Sequence, residues 1–531
     1  MEESTLPEQS PSVAPGLHPQ VNPWIIAISV MFATFLEVLD TTIVNVSLPH
    51  IAGSLSATPE EATWALTSYL VANAIVLPLT GWLAGFFGRK RLLTIAVAGF
   101  TTTSFLCGLA PSLPFLVVFR LMQGLTGGVL QPMSQSIMLE AFPPEKRGRA
   151  MAFWALGIVV APILGPVLGG WLTDNYSWRW VFYVNIPIGV ISILMTRAFI
   201  FDPPYLKGMK RRVDGIGIGL LAVGIGCLQF LLDKGQQEDW FDSNLIRVLA
   251  VTSISALALF VVHALVAKEP VLDLRVLKDR TYSTGVFLMT VLGFVLFGSL
   301  VMLPLFLQTV LGYPAMQAGI AMAPRGIGSF LAMPLIGYLM GKLDPRKMVA
   351  AGLAIAGVTL YALSAINLNA GYWDIFWPQL IQGTSMGLLF VPLSTLSMAS
   401  ISREKMGNAT SLFNLMRNLG GGVGIAFVAT SVSRSTTAHS AILAEHLNPY
   451  SLQAQNAING ARTMFMSQGS DWATATRQAY GVMLGVIQRQ SAMIAFIDII
   501  RLLALIFIVA IPLVFIMKRP KGAASPPPEA H

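Results

Sequence analysis

Three ionisable side chains stand where water has little access. Glu37 and Asp40 lie inside one long apolar run, and Arg120 lies inside another. Charges within hydrocarbon are costly and mark ion or proton pathways. Residues at i and i+3 share a helix face, so Glu37 and Asp40 point the same way. Two neighbouring carboxylates in a low dielectric resist ionising together, which makes the pair able to load and release a proton. Asp40, with or without Glu37, is the expected proton-coupling site; the competing reading makes Asp40 a structural ion pair or a hydrogen-bonding cap. A guanidinium does not shed its proton at working pH. Arg120 would instead hold a carboxylate while it is ionised and release it once protonated, with Asp40 or Glu37 as the natural partner.

Other polar residues interrupt the apolar runs. Arg325 and Arg417 are further buried cations, and Asn414 and Asn418 flank Arg417. Each arginine could attract an anionic substrate group, balance a carboxylate, or brace two helices. Trp64, Thr67, Tyr69, Asn73, Gln123, Gln379, Gln382 and Ser385 are candidate lining for a substrate cavity. Asp498 and Arg501, again at i and i+3, are expected to satisfy one another, and His263 reads as a lone residue near a helix end. The 24 Met and 29 Phe would suit an adaptable cavity, but lipid-facing helices use them equally. Neither a phosphate-binding GxxxxGK[ST] nor HExxH, GxSxG or CxxC occurs. The sequence therefore gives no sign of an enzyme, a cofactor, a metal site or ATP coupling.

The elements that must position these residues are membrane helices. Of 531 residues, 54% are hydrophobic and 11% charged, about half the charged share of a soluble domain. Mean hydropathy is +0.66. The chain is expected to be an all-α polytopic membrane protein, surrounded by lipid. Apolar runs long enough to span fall near 24–46, 63–84, 92–110, 114–139, 150–172, 180–201, 214–233, 245–266, 282–309, 317–340, 347–367, 374–399, 408–431 and 492–517. Alternate loops hold the basic residues, among them Arg89, Lys90, Arg91, Lys146, Arg147, Lys207, Lys210, Arg211, Arg212, Lys268, Lys342, Arg346, Arg403, Lys405, Lys518, Arg519 and Lys521. Positive loops stay inside. Both termini are thus expected in the cytoplasm, which requires an even number of spans. The formal charge of +8 is no nucleic-acid signal, because the basic residues mark topology. Residues 1–23, Pro-rich and without Lys or Arg, read as a disordered cytoplasmic tail rather than a signal peptide, and 518–531 as a second tail. Segment 433–490 reads as a long polar external loop with helix-forming stretches. Cys107 and Cys227 both sit in apolar runs and suggest no disulfide.

The chain also repeats itself. Gly81-Trp-Leu-Ala-Gly85 pairs with Gly337-Tyr-Leu-Met-Gly341, Arg120-Leu-Met-Gln-Gly124 with Gln379-Leu-Ile-Gln-Gly383, Pro132-Met-Ser134 with Pro392-Leu-Ser394, and Glu145-Lys-Arg-Gly148 with Glu404-Lys-Met-Gly407. Four matches in one order and nearly one spacing imply two homologous six-helix bundles, 24–201 and 282–517, with two inserted helices at 214–266. Parallel repeats of this kind are the mark of a rocking secondary transporter whose site lies between the halves. Gly157, Ala161, Gly165 and Gly169 add a stripe of small residues, with Gly170 adjoining and Pro162 and Pro166 able to bend the helix. The stripe suits either a seam where the two bundles meet and rock or one tightly packed static helix pair.

These motifs resemble the major facilitator superfamily. Gly157 to Gly170 looks like its antiporter motif, found in exporters. Leu39-Asp-Thr-Thr-Ile-Val-Asn-Val-Ser-Leu-Pro49 and Trp178-Arg-Trp-Val-Phe-Tyr-Val-Asn-Ile-Pro-Ile-Gly189 are similar to segments of the fourteen-helix drug:proton antiporters of the EmrB type. Arg120 with Gln123 and Gly124 resembles the fourth-helix motif, whose arginine the family implicates in proton transfer. Gly81, Gly85, Gly88, Arg89 and Lys90 resemble the loop between the second and third helices. The acid usual at the fifth place of that motif is Gly85 here, which puts the family's cytoplasmic latch in question. Glu37 is not part of the first-helix pattern.

The resemblance implies a major facilitator fold and proton-driven efflux of hydrophobic or amphipathic drugs across an inner membrane. It also implies a periplasmic adaptor of the EmrA type and a TolC-like outer-membrane channel as partners. An exporter of one metabolite, siderophore or fatty acid fits the same motifs. A non-transporting sensor or scaffold would not need Asp40, Arg120 and the whole 157–170 stretch.

Overall fold

The computed structural model describes residues 22–202, 213–445 and 451–518. Most of both expected tails lies outside the described residues, as do Lys207, Lys210, Arg211, Arg212, Arg519 and Lys521.

Among the described residues, fourteen helices are long and apolar enough to cross a bilayer. The first six are α1 (Pro23–Ser54), α2 (Trp64–Phe87), α3 (Arg89–Leu109), α4 (Leu113–Ala141), α5 (Arg147–Asn175) and α6 (Trp180–Phe199). Next come α7 (Gly215–Lys234) and α8 (Asn244–Val266). The last group is α9 (Arg280–Thr309), α10 (Ala315–Leu339), α11 (Pro345–Leu363), α12 (Tyr372–Ser397) and α13 (Met406–Glu445), followed by the less apolar α14 (Leu452–Ser467) and the spanning α15 (Trp472–Val514).

Short polar residues start several of these helices. The Asn22 side chain accepts the Trp24 N–H at 3.0 Å ahead of Pro23. Asp214, Asp279 and Asp344 accept the N–H groups of Gly217, Tyr282 and Arg346 at the starts of α7, α9 and α11. Each carboxylate satisfies a first-turn N–H that the helix cannot. Between α2 and α3 the chain turns at Gly88, whose φ of +80° is a conformation that side-chain-bearing residues avoid.

Three helices outrun the expected spans. α1 continues to Ser54. α13 has 40 residues and α15 has 43, so at 1.5 Å per residue each is about 60 Å long, twice a hydrocarbon core of about 30 Å. The segment 433–490, expected as a loop, is therefore largely helix: the end of α13, then α14 packed on the start of α15. A polar sequence carries no hydropathy signal, yet its Ala and Gln residues are good helix formers.

Within the first six helices, α1 packs on α4, α5 and α6, α2 on α4, and α3 on α4 and α6. Among the last group, α9 packs on α13, α10 on α12, and α15 on α9, α11 and α13. α7 touches α2 on one side and α13 on the other, and so bridges the two groups. Direct contacts between the groups gather at the end of the molecule that carries the basic loops. A Cβ on Gly81 of α2 would lie 2.7 Å from the Asn408 backbone of α13, and one on Gly148 of α5 2.7 Å from Met340 Cβ of α10. The Gly81 N–H donates to Ser411 Oγ at 3.0 Å, and Trp154 of α5 stacks on Phe390 of α12. Toward the other end α5 and α10 leave Val167, Trp171, Met316 and Ile320 exposed.

One expected pairing and one expected lone residue differ. Asp498 reaches His439 of α13 at 3.1 Å, while Arg501 turns to Ser364 beyond α11 at 3.3 Å. α15 lies between α11 and α13, so the two residues meet different neighbours. His263 is not alone: it contacts Asp214 Oδ1 at 2.7 Å.

Candidate functional site

Asp40 is completely buried at the centre of the first six helices. Arg120 Nη1 donates to its Oδ2 at 2.5 Å; Gln123 Nε2 and Asn185 Nδ2 donate to its Oδ1 at 3.0 and 2.8 Å. Arg120 also donates through Nε to the Ala65 carbonyl at 3.0 Å and through Nη1 to Gln123 Oε1 at 2.8 Å. Its guanidinium lies 4.2 Å from the Tyr69 ring centroid. Five helices thus hold one ion pair: α1 supplies the acid, α4 the base and the Gln123 donor, α2 the accepting Ala65 carbonyl and the Tyr69 ring, α6 the Asn185 donor, and α3 the Ser104 hydroxyl that Asn185 reaches at 3.0 Å. A buried pair is tolerable only with its remaining lone pairs and protons satisfied, and these neighbours do that for all but Arg120 Nη2.

Glu37, one turn earlier on α1, faces the junction between the helix groups. It accepts from Asn73 Nδ2 at 3.0 Å. Its electrostatic neighbours include Asp40 and, from α13, Arg417. Arg417 donates to Gln131 of α4, and Asn414 donates to Gln135 at 2.5 Å. The junction is therefore a polar layer of amides with one acid and one base on opposite sides. The amides Gln131 and Gln135 were readable as i and i+4 partners on one face of an apolar run; the sequence reading passed over them, and over Asn185.

Other candidates fall elsewhere. Trp64 packs on Phe230, with Lys234 over its ring at 5.3 Å, and Thr67 donates to Asp233. Both residues face α7 rather than a cavity between the halves, because the inserted helix covers that side of α2. Gln379 and Gln382 are buried in α12 and bond each other at 3.3 Å. Arg325 is buried in α10, and its guanidinium lies 3.4 Å from Ser299 Oγ. The stripe of α5 packs on α1 of its own group: Gly157 against Met31, Gly165 against Thr42 and Gly169 against Ile43, while the Ala161 carbonyl accepts from Thr42 Oγ1 at 3.4 Å. α5 is helical throughout, positions 162 and 166 included, and Gly170 is looser. The seam between the groups uses the opposite end of α5, and at these residues α5 packs on α1.

The loop motif is latched without an acid at Gly85. Arg89 donates two bonds of 2.6 Å to Glu140 at the end of α4, and Asp202 accepts the backbone N–H groups of Arg89 and Lys90 at 2.6 and 2.9 Å. Lys90 lies over the Phe201 ring. Asp202 sits against Gly88, so the latch is made by two acids distant in sequence, which a local motif cannot show.

A family model described as Major Facilitator Superfamily matches residues 30–425. The chain belongs to the major facilitator superfamily. It is 40% identical to the fatty acid resistance protein FarB of Neisseria gonorrhoeae over 94% of this chain and 96% of that protein. It is 38% identical to the multidrug export protein EmrB of Escherichia coli (strain K12), over 96% and 98%. These near-full-length matches set it in the EmrB-type branch of the superfamily. Among solved structures, the human organic anion transporter MFSD10 (TETRAN) shares the fold, with a TM-score of 0.60 at 12% identity over 93% of this chain and all of that one. The major facilitator fold is thus shared across chains that differ almost everywhere in sequence, and this member is a multi-pass membrane transporter of small substrates.

Proposed function

We propose that this permease exports hydrophobic and amphipathic drugs from the cytoplasm in exchange for protons. The carrying observation is the buried pair of Asp40 and Arg120 at 2.5 Å. When Asp40 takes a proton, the attraction that fastens α1 to α4 falls, and α1 is also the helix on which the α5 stripe rests. With the basic end closed by the contacts of Gly81 and Gly148, the arrangement is the outward-facing one. A proton entering from outside would release the pair and favour drug discharge; its loss to the cytoplasm would restore the pair.

The charge distribution supports an inner membrane with both termini cytoplasmic. The helical extension formed by α13, α14 and α15 then stands outside, where it offers a platform for a periplasmic adaptor of the EmrA type leading to a TolC-like channel. The name of the FarB relative favours a second reading, export of one class of lipid-like acid on the same fold.

Inside-out vesicles acidified by respiration test the exchange. Hydrophobic drugs are expected to release protons with the wild-type protein and not with Asp40→Asn. Release by both would remove Asp40 from the proton path, and release by neither would overturn the drug-exchange reading.

A further inference from the structure

α2 and α13 touch at the basic end and diverge from there outward. At the basic end a Cβ on Gly81 would lie 2.7 Å from the Asn408 backbone, and the turn Leu77–Leu79 of α2 packs on α13. Farther out the inserted helix α7 fills the gap. On the α2 side a Cβ on Gly226 of α7 would lie 3.3 Å from Ile75 Cδ1, and Phe230 packs on Trp64. On the α13 side a Cβ on Gly422 would lie 3.4 Å from Leu232 Cδ1 and 3.5 Å from Gln229 Oε1.

The two sides are fastened unequally. Toward α2, Thr67 Oγ1 donates to Asp233, and Lys234 Nζ donates to Thr63 Oγ1 at 2.8 Å beneath the Trp64 ring. Lys234 is buried, so pulling it from these partners would leave an ammonium without compensation. Toward α13 the side-chain hydrogen bond among the described residues comes from the turn after α7: Trp240 Nε1 donates to Thr430 Oγ1 at 2.9 Å.

Trp240 is held for that bond by the turn itself. Asp239 and Trp240 both have φ of +53°, a left-handed conformation that is an outlier for a bulky ring. The Trp240 N–H donates to the Gly235 carbonyl at 2.7 Å, and the ring lies where a Cβ on Gly235 would be 2.7 Å away. Backbone held in so sparse a region persists only where its surroundings enforce it, and such residues cluster at clamps and switches. A cavity of about 410 Å³, with Asp239, Asp242 and Arg434 on its walls, lies between the turn and α13 beside the bond, so little packing backs it.

Rocking of the halves requires the outer ends of α2 and α13 to approach one another. The space between them is filled by α7, and packed side chains do not compress. α7 must then part from one wall, and α13 is the wall with the weaker hold. We propose that α7 is a wedge that travels with α2 and stabilises the outward-facing arrangement. The Trp240–Thr430 bond is its clasp, closed in this state and broken each time the outer side shuts. The inference rests on the outward-facing, rocking reading above and not on which substrate is carried.

The test uses the full-length protein in nanodiscs, freed of Cys107 and Cys227, with spin labels in pairs at positions 57, 238 and 438, beside the outer ends of α2, α7 and α13. Trp240→Phe keeps the ring and loses the N–H; Thr430→Val loses the acceptor. Each is expected to shift the ratio of outward- to inward-facing protein by about two- to tenfold, the range of one hydrogen bond, seen as a gain in short 57–438 separations. The double variant should shift it no further than either alone, and the 57–238 separation should stay the same throughout. A second arm introduces Glu238→Cys and Ala438→Cys and bridges them with a bis-methanethiosulfonate reagent in proteoliposomes. Drug-dependent proton release should stop, and return when dithiothreitol cuts the bridge. Unchanged 57–438 separations in both single variants, a 57–238 separation that moves with 57–438, or proton release that survives the bridge would each overturn the wedge. If the unbridged protein releases no protons with any drug, the export reading fails, and the label separations still decide the wedge.

Discussion

Glu37 and Asp40 are one helical turn apart on α1 and belong to two different hydrogen-bond systems. Asp40 is locked inside the first helix group by Arg120, Gln123 and Asn185. Glu37 accepts from Asn73 through Oε1, has Gln131 and Arg417 as polar neighbours, and its Oε2 has no partner at hydrogen-bond distance among the described residues. Shared helix face does not mean shared surroundings: the first acid lies against the junction and the second beneath it.

The locked pair predicts a separation of stability from transport. Asp40→Ala leaves Arg120 buried without its counter-charge and is expected to cost about 3–5 kcal/mol. The double variant Asp40→Asn/Arg120→Gln removes both charges and should recover most of the melting temperature. It should nonetheless release no protons on addition of drug. Thermal melts in detergent, run beside the vesicle assay, decide this. Proton release by the stable double variant would transfer the coupling role to Glu37.

Closure of the basic end predicts a conformational variant. Gly81 approaches the Gly407 and Asn408 backbone so closely that any Cβ lies at 2.7–2.8 Å from it, and backbone cannot yield as a side chain can. Gly81→Leu is expected to hold α2 and α13 apart at that end and abolish drug-dependent proton release. Spin labels near positions 86 and 403 would show a longer distance distribution than in wild type. An unchanged distribution would mean that this contact does not set the state.

Much of this was legible in sequence, for identifiable reasons. Span number follows from apolar runs, and the pairing of Arg120 with one of the two α1 carboxylates from the expense of charge in lipid, while the choice of Asp40 over Glu37 came from the fold. The helical length of α13 and α15 was hidden because beyond the membrane their sequence turns polar and the hydropathy signal stops. Trp64 and Thr67 looked like cavity residues because nothing local says that α7 will lie against α2. Glu140 and Asp202 latch the Arg89 loop from 51 and 113 residues away, a distance at which a motif has no reach. The small-residue stripe announced a close helix contact but not the partner, since α1 and a helix of the other half satisfy the same pattern.

The stripe supplies a graded prediction. A Cβ at Gly165 would stand 2.2 Å from Thr42 Oγ1 and 2.7 Å from Thr42 Cβ, whereas one at Gly170 meets only Val46 Cγ1 at 3.9 Å. Overpacking of this kind costs about 1–3 kcal/mol. Gly165→Ala is therefore expected to lower the melting temperature and the transport rate, and Gly170→Ala to leave both unchanged. Thr42→Ala should recover part of the Gly165→Ala loss by removing the nearest atom. Equal tolerance of the two alanines would show that α1 and α5 separate freely.

Asp214 makes the last prediction, at the basic end of the inserted pair. Its carboxylate accepts the Gly217 N–H at 2.9 Å and the Val271 N–H at 3.1 Å, and contacts His263 Nε2 at 2.7 Å. It thereby ties the start of α7 to the end of α8 and to the chain leading to α9. Burial works to raise its pKa, but the bonds from Gly217, His263 and Val271 together outweigh this and hold it below the usual aspartate value. A carboxylate whose pKa is lowered by folding adds stability above its unfolded pKa of about 3.9, and that stability is lost as pH falls through the folded value. Asp214→Asn is expected to cost about 1–2 kcal/mol at pH 7, the worth of a helix cap, and to speed amide exchange at Gly217 and Val271. The difference between wild type and variant should shrink below about pH 4. Melting curves of both proteins across that range, with exchange rates at the two amides, give the answer: a difference that does not shrink at the acid end, with unchanged exchange at Gly217 and Val271, would show that the Asp214 carboxylate is not the clamp.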